Sequence, residues 1–153
     1  MEYTVSRDVD ADSGTVWAVI ADVERMPAWT STMTRVRVLD GGELRVGARV
    51  RVEQPRLPTA TWEVTELEPG RSYTWASPAP GLQSVAWHAV EPLGPGRSRV
   101  TLGIRQTGPL GVVATLMGPL TRRYVDTEIA GGGGGRADYV RTSVRCTLWW
   151  SSG

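Results

Sequence analysis

The chain has no lysine and no phenylalanine, and only one cysteine and one histidine in 153 residues. Each shortage closes a class of chemistry. Without lysine there is no Schiff-base nucleophile, no attachment point for pyridoxal phosphate and no phosphate-loop lysine. A lone cysteine, Cys146, forbids an internal disulfide. With His88 the only imidazole, a zinc site of the usual Cys/His kind is excluded, so no metal and no cofactor is expected. No apolar run approaches the roughly 18 residues that span a bilayer, and the N-terminus is charged from Glu2, so a cytoplasmic protein without an integral membrane segment is the default expectation. Strong charge of one sign is missing too: 17 arginines against 16 acidic residues leave a net charge of +1, which gives no pull towards nucleic acid.

What remains is an ordinary globular composition, 41% hydrophobic and 22% charged. A chain of this length reads as one domain able to remove about 68–70% of its unfolded surface from water. Tyr3–Val9 alternates and predicts a first strand. Asp12 and Ser13 offer N-caps to a helix whose apolar face is Val16, Trp17, Val19 and Ile20. Asp22 starts a second short turn over Val23–Met26, which Pro27 should end. The period then becomes two. Val36 with Val38, Val50 with Val52, Ala60 with Trp62 and Val64, and Tyr73 with Trp75 mark four strands; Gln83–Glu91 and Arg99–Thr107 mark two more. Turn compositions separate them at Asp40–Gly42, Glu68–Gly70, Pro78–Gly81 and Pro92–Gly96.

After Gly108-Pro109 the spacing is helical again, with Val113, Leu116, Met117, Leu120 and Tyr124 on one stripe and Pro119 placed to kink it. A curved sheet must cover its apolar face, and this terminal helix is the element of suitable size. The prediction is therefore an α+β fold: a curved, antiparallel, seven-stranded sheet wrapped around a long C-terminal helix, with two short helices after the first strand.

That order, together with V-W-A-V-I-A-D-V-E-R-M-P-A-W at Val16–Trp29, resembles the START/Bet v1-like (SRPBCC) superfamily, in its bacterial polyketide cyclase/dehydrase-like branch. Leu39–Arg49, Trp62–Arg71 and His88–Pro92 carry further phrases of it. The likeness spans roughly residues 1–130 and implies a helix-grip fold with a cavity between sheet and helix. Members include lipid carriers, cyclases and proteins of other roles, so it is specific for fold and weak for activity. Met26 stands where relatives often carry tryptophan. From Gly131 the chain departs further. Five successive glycines, each costing about 1 kcal/mol in a helix, lead into a tail that ends in Leu148-Trp149-Trp150. Residues 1–130 are read as a ligand-binding domain and residues 131–153 as an atypical tail, frameshifted or disordered.

Seven tryptophans stand against no phenylalanine. By alternation Trp29, Trp62 and Trp75 fall on inward or pocket-mouth positions, where an indole supplies a flat apolar wall and one N–H donor. Filling the core is the simpler role for any one of them; Trp17 is assigned to the core and Trp87 to the outer face. His88 shares parity with Ala86 and Val90 and so faces inward. It is a candidate general acid/base, with Tyr73 second, although a structural histidine is the simpler reading. The candidate ligand-binding set is Trp29, Val52, Trp62, Trp75, His88, Ile104, Met117, Leu120 and Tyr124. Arg49, Arg51 and Arg105 have outward parity, and Arg122-Arg123 suit a helix C-terminus without any partner. No nucleophile-elbow motif is present, and the glycine run lacks the Lys-Ser/Thr of a phosphate loop. The expected function is binding of a small hydrophobic or aromatic ligand, lipid- or polyketide-like. A polyketide cyclase or dehydratase and a protein-interaction module are the alternatives, and a homodimer is a partner to test for if the tail leaves part of the sheet uncovered.

Overall fold

The structure is a computed structural model that describes residues 2–30, 33–55 and 57–110. The expected long helix and the glycine-rich tail, and with them Cys146, lie outside the described residues. Seven strands form one antiparallel sheet: β1 (Glu2–Val9), β2 (Arg35–Val38), β3 (Arg49–Glu53), β4 (Ala60–Glu68), β5 (Ser72–Ala79), β6 (Leu82–Gly94) and β7 (Arg97–Thr107). Their order is β1-β7-β6-β5-β4-β3-β2. First and last strands are therefore neighbours, while β1 and β2, adjacent in sequence among the strands, lie at opposite edges. Two short helices, α1 (Ser13–Ala21) and a 3-10 helix at Val23–Ala28, carry the chain between those edges. Among the described residues no helix is long and apolar enough to cross a membrane, which says nothing of strands.

The alternation read from the sequence sorts the two faces. In β5 the buried positions are Tyr73, Trp75 and Ser77, and in β6 they are Ser84, Ala86, His88 and Val90. Register joins them into rows across the inner face: Val5, Leu102, His88, Tyr73 and Leu67 in one, and Tyr3, Ile104, Ala86, Trp75 and Val64 in the next. At Val64/Glu66 the β4–β5 register shifts by a bulge. The extra residue lets both Val64 and Leu67 belong to the inner face, three positions apart, and it bends the strand as bulges do. Val16 and Ile20 from α1 and Val23 and Met26 from the 3-10 helix complete the core.

Several local expectations change. Asp12 is the N-cap of α1 by position, yet its carboxylate makes no bond to the helix amides. Its Oδ1 instead accepts from the Gly96 amide at 2.9 Å, and the Ser98 hydroxyl donates to the Ala11 carbonyl at 2.8 Å. The cap residue is thus spent on pinning the β6–β7 turn to the end of β1. Asp22 likewise makes no side-chain cap bond. Pro27 does not end the 3-10 helix but sits inside it; the helix runs to Ala28 and closes with the amides of Trp29 and Thr30 donating to the Met26 carbonyl. A proline forfeits only its own donor, and the bonds beyond it are made by other residues. Pro78 and Pro92, expected in turns, lie within β5 and β6, near the ends of those strands.

Candidate functional site

The inner face of β4, β5 and β6 carries an aromatic cluster built from positions of one parity. Tyr73 and His88 are directly opposed across strands, and their rings stack with centroids 4.3 Å apart and planes 11° from parallel. Trp75, two residues along β5, meets His88 edge-on at 5.3 Å and Tyr73 edge-on at 5.6 Å. Trp62 from β4 lies against Trp75 at 5.3 Å. Ala86 stands opposite Trp75, so the cross-strand neighbour of the largest ring is a small side chain.

The Tyr73 hydroxyl donates to the carbonyl of Ile20 at 3.1 Å. Carbonyls in the last turn of a helix lack an intrahelical donor, so this bond completes the end of α1 and fixes it over the sheet. Burial holds the Tyr73 phenol well above its ordinary range. His88 is 3% exposed. Burial lowers its pKa from 6.5 to about 3, against a backbone hydrogen bond with Tyr73 that acts weakly the other way. At neutral pH the ring is uncharged.

Three nitrogens are buried without a hydrogen-bond partner among the described residues: Nε1 of Trp75 and Nδ1 of His88 in this cluster, and Nε1 of Trp29 just after the 3-10 helix. Leaving such a group unpaired in an apolar interior costs about 1–3 kcal/mol, and native interiors hold few of them. Two buried hydroxyls are matched: that of Ser84 accepts from Gln106 Nε2 at 3.3 Å, and Ser98 is paired as described above.

The expected ligand-binding residues divide in three. Trp62, Trp75 and His88 come together in the cluster, and Val52 and Ile104 are buried on the same face. Trp29, expected at a cavity mouth, is buried within the core at 2% exposure. Met117, Leu120 and Tyr124 lie outside the described residues, as do Arg122 and Arg123. Arg49, Arg51 and Arg105 are exposed, and Arg105 pairs with Glu2 at 2.7 Å. Among the described residues no group of His, Cys, Asp or Glu is arranged to hold a metal ion.

Two features escaped sequence reasoning. Trp17, assigned to the core, is only half-buried; its ring meets Tyr73 edge-on at 6.2 Å. Trp17 also lines a half-open cleft of about 480 Å³ between the end of α1, the start of the 3-10 helix, the β2–β3 loop and the β4–β5 turn. Four separated segments build this cleft, so no local pattern announces it.

A family model described as polyketide cyclase/dehydrase and lipid transport matches residues 1–141. None of the curated proteins matches the sequence. Solved structures do match by shape. The ZhuI aromatase/cyclase of a Streptomyces species superposes with a TM-score of 0.65 at 18% identity, over 95% of this chain and 93% of that one. A START superfamily protein of Mycobacterium smegmatis gives 0.62 at 15% identity, over 80% and 90%. The norcoclaurine synthase of Thalictrum flavum, solved with dopamine and hydroxybenzaldehyde, gives 0.61 at 13% identity, over 94% and 86%. At these identities the likeness is one of fold.

Proposed function

The chain belongs to the polyketide cyclase/dehydrase and lipid-transport family, and from that premise we propose that its inner sheet face binds a small hydrophobic or aromatic ligand carrying oxygen atoms, lipid- or polyketide-like. The unpartnered Nε1 of Trp75 and Nδ1 of His88, on rings that meet edge-on at 5.3 Å, are the observation that carries this reading. The Trp75 indole N–H needs an acceptor, and a neutral imidazole offers Nδ1 as donor or acceptor. A flat ligand with carbonyl or hydroxyl groups answers both requirements and stacks on the rings around them.

Cyclisation catalysed by His88 or Tyr73 is the weaker reading. His88 stays neutral because its pKa of about 3 lies far below neutral pH, and the Tyr73 hydroxyl is already donated to Ile20. Both side chains are better placed to orient a ligand than to move its protons.

A fluorescence titration with a polyhydroxy-anthraquinone tests the proposal. Saturable tryptophan quenching is expected. Trp75→Phe keeps a ring but removes the N–H, so it should weaken binding about tenfold, or about 1.4 kcal/mol. No quenching across a panel of hydroxylated aromatics and fatty acids, or equal affinity in the Trp75→Phe protein, would overturn it.

A further inference from the structure

The cleft beside α1 lies at the margin of the inner face: it shares Leu67 with the row that holds Tyr73 and His88, but Trp62, Trp75 and His88 do not line it. Its volume of about 480 Å³ falls in the range of small-molecule sites, roughly 300–1,000 Å³. Trp17, Leu44 and Leu67 give it apolar walls, all three half-buried against the core. Its rim carries Asp22, Glu24 and Glu43, and no arginine is among the residues that line it. That is an unusual balance in a chain with 17 arginines and a net charge of +1. The outer sheet face shows the alternative, since Asp8 and Glu2 there have arginine neighbours.

The carboxylates are also placed rather than loose. Glu24 Oε1 accepts from the Val38 amide at 2.9 Å, which fixes this side chain between the 3-10 helix and the end of β2. Asp22 is at a cap position but does not bond the helix amides, so its charge is not spent there. The neighbouring Arg45 turns its guanidinium to the Gly41 carbonyl, at 3.4 Å. These acidic groups form no metal-binding cluster, so the charge is spread around an apolar hollow instead of converging on a point. We propose that this cleft binds an organic cation, an ammonium group attached to a ring-sized apolar body. The body would fill the space against Trp17, Leu44 and Leu67, and the ammonium would lie among the three carboxylates. An indole wall favours the same chemistry through cation–π attraction. The carboxylates are exposed, so the electrostatic part is screened by salt and the affinity is modest.

Benzyltrimethylammonium serves as the probe, with benzyl alcohol and phenylacetate as neutral and anionic counterparts of similar size. The readout is the set of tryptophan indole N–H resonances in a ¹H–¹⁵N spectrum, with Trp17 assigned by its loss in Trp17→Phe. Saturable movement of the Trp17 resonance by the cation is expected, with at least threefold weaker response to either counterpart. Glu43→Gln, a change in an exposed loop, and Asp22→Asn should each weaken binding about twofold to fivefold while the other resonances stay in place, and 1 M NaCl should weaken it further. Equal binding of benzyl alcohol, an unmoved Trp17 resonance, or an affinity unchanged in both variants would overturn the proposal. Movement confined to Trp62 and Trp75 would overturn it as well and place the probe on the inner face. Failure of the anthraquinone titration leaves this outcome unaffected, because the assigned Trp17 resonance and the Asp22 and Glu43 variants read the cleft, whereas Trp75→Phe reads the inner face.

Discussion

The two faces of the sheet are made by alternate residues of the same strands, and they treat polar groups in opposite ways. On β7, Val100, Leu102 and Ile104 are buried inside, while Arg99 and Arg105 are exposed outside. Outer charges find partners directly across the ladder: Arg99 faces Asp8 and bonds it at 2.8 Å, and Arg105 faces Glu2. Inner polar atoms are few and expensive, and two of them, Trp75 Nε1 and His88 Nδ1, have no partner among the described residues. A polar group outside is cheap because water is always available to it; inside, its cost must be balanced by what it does. The inner face is therefore where function is to be sought, even though the outer face holds more hydrogen bonds between side chains.

One outer position breaks that contrast and gives the largest expected effect. Trp87 lies across Gly103, its partner on β7, and a Cβ on Gly103 would fall within the indole ring. Here the outer face is packed like an interior. Gly103→Val introduces a residue with higher strand propensity, yet it should destabilise by about 1–3 kcal/mol, as overpacking does. Adding Trp87→Ala should return part of that loss, with a coupling of about 0.5–3 kcal/mol between the two sites. Urea denaturation of the four proteins measures it. Stabilisation by Gly103→Val alone would mean that propensity governs the whole outer face and that the Trp87 contact carries nothing.

A second effect sharpens the inner side. His88 has its pKa lowered by burial to about 3, so the unfolded chain takes up a proton near pH 6.5 that the folded chain refuses. Stability contributed by the neutral ring is complete above about pH 6.5 and is lost as the pH falls towards 3, with a slope of at most about 1.4 kcal/mol per pH unit. Asp8 and Asp40 also have lowered values, through hydrogen bonds from Arg99 and Arg49, but their reference value is 3.8. Between pH 4.5 and 6 the slope belongs chiefly to His88. His88→Phe keeps a ring stacked on Tyr73 and should flatten the stability profile across that interval. A profile as steep as that of the unaltered protein would place the titration elsewhere.

Much of this architecture was legible because it follows from parity. Tyr73, Trp75, Ala86, His88, Leu102 and Ile104 could be put on one face by counting in twos, and the glycine-containing turns set the strand boundaries to within a few residues. Asp12 was legible as a cap only by position. The Gly96 amide that takes its carboxylate is 84 residues away, and no window along the chain relates the two. The β4 bulge was hidden for a related reason: Thr65 and Glu66 are both polar and exposed, so nothing in the pattern shows where the extra residue enters. Trp17 failed differently. Helical spacing places it beside Val16 and Ile20, but whether that flank is covered depends on Leu44 and Leu67 from two distant segments, which leave a cleft beside it.

The smallest effect concerns the outer ion pairs. Arg99 donates to both oxygens of Asp8, and Arg97 approaches the same carboxylate at 3.7 Å. This geometry suggests strength, but all three side chains are exposed by 40% or more. Exposed pairs gain little, because each charge gives up good hydration and its partner is screened. Asp8→Asn should leave the melting temperature nearly unchanged in 0.15 M salt, and any difference should vanish in 1 M salt. Its consequence belongs to register: Asp8 opposite Arg99 and Glu2 opposite Arg105 bracket the β1–β7 ladder, and a slip by one residue would misplace both pairs and turn Val5 outward. The expected signature is a normal melt together with slower amide protection along β1, read by hydrogen exchange during refolding. A drop in melting temperature as large as that of Gly103→Val would show that the outer charges hold the sheet together instead of aligning it, and the distinction between the two faces would fail.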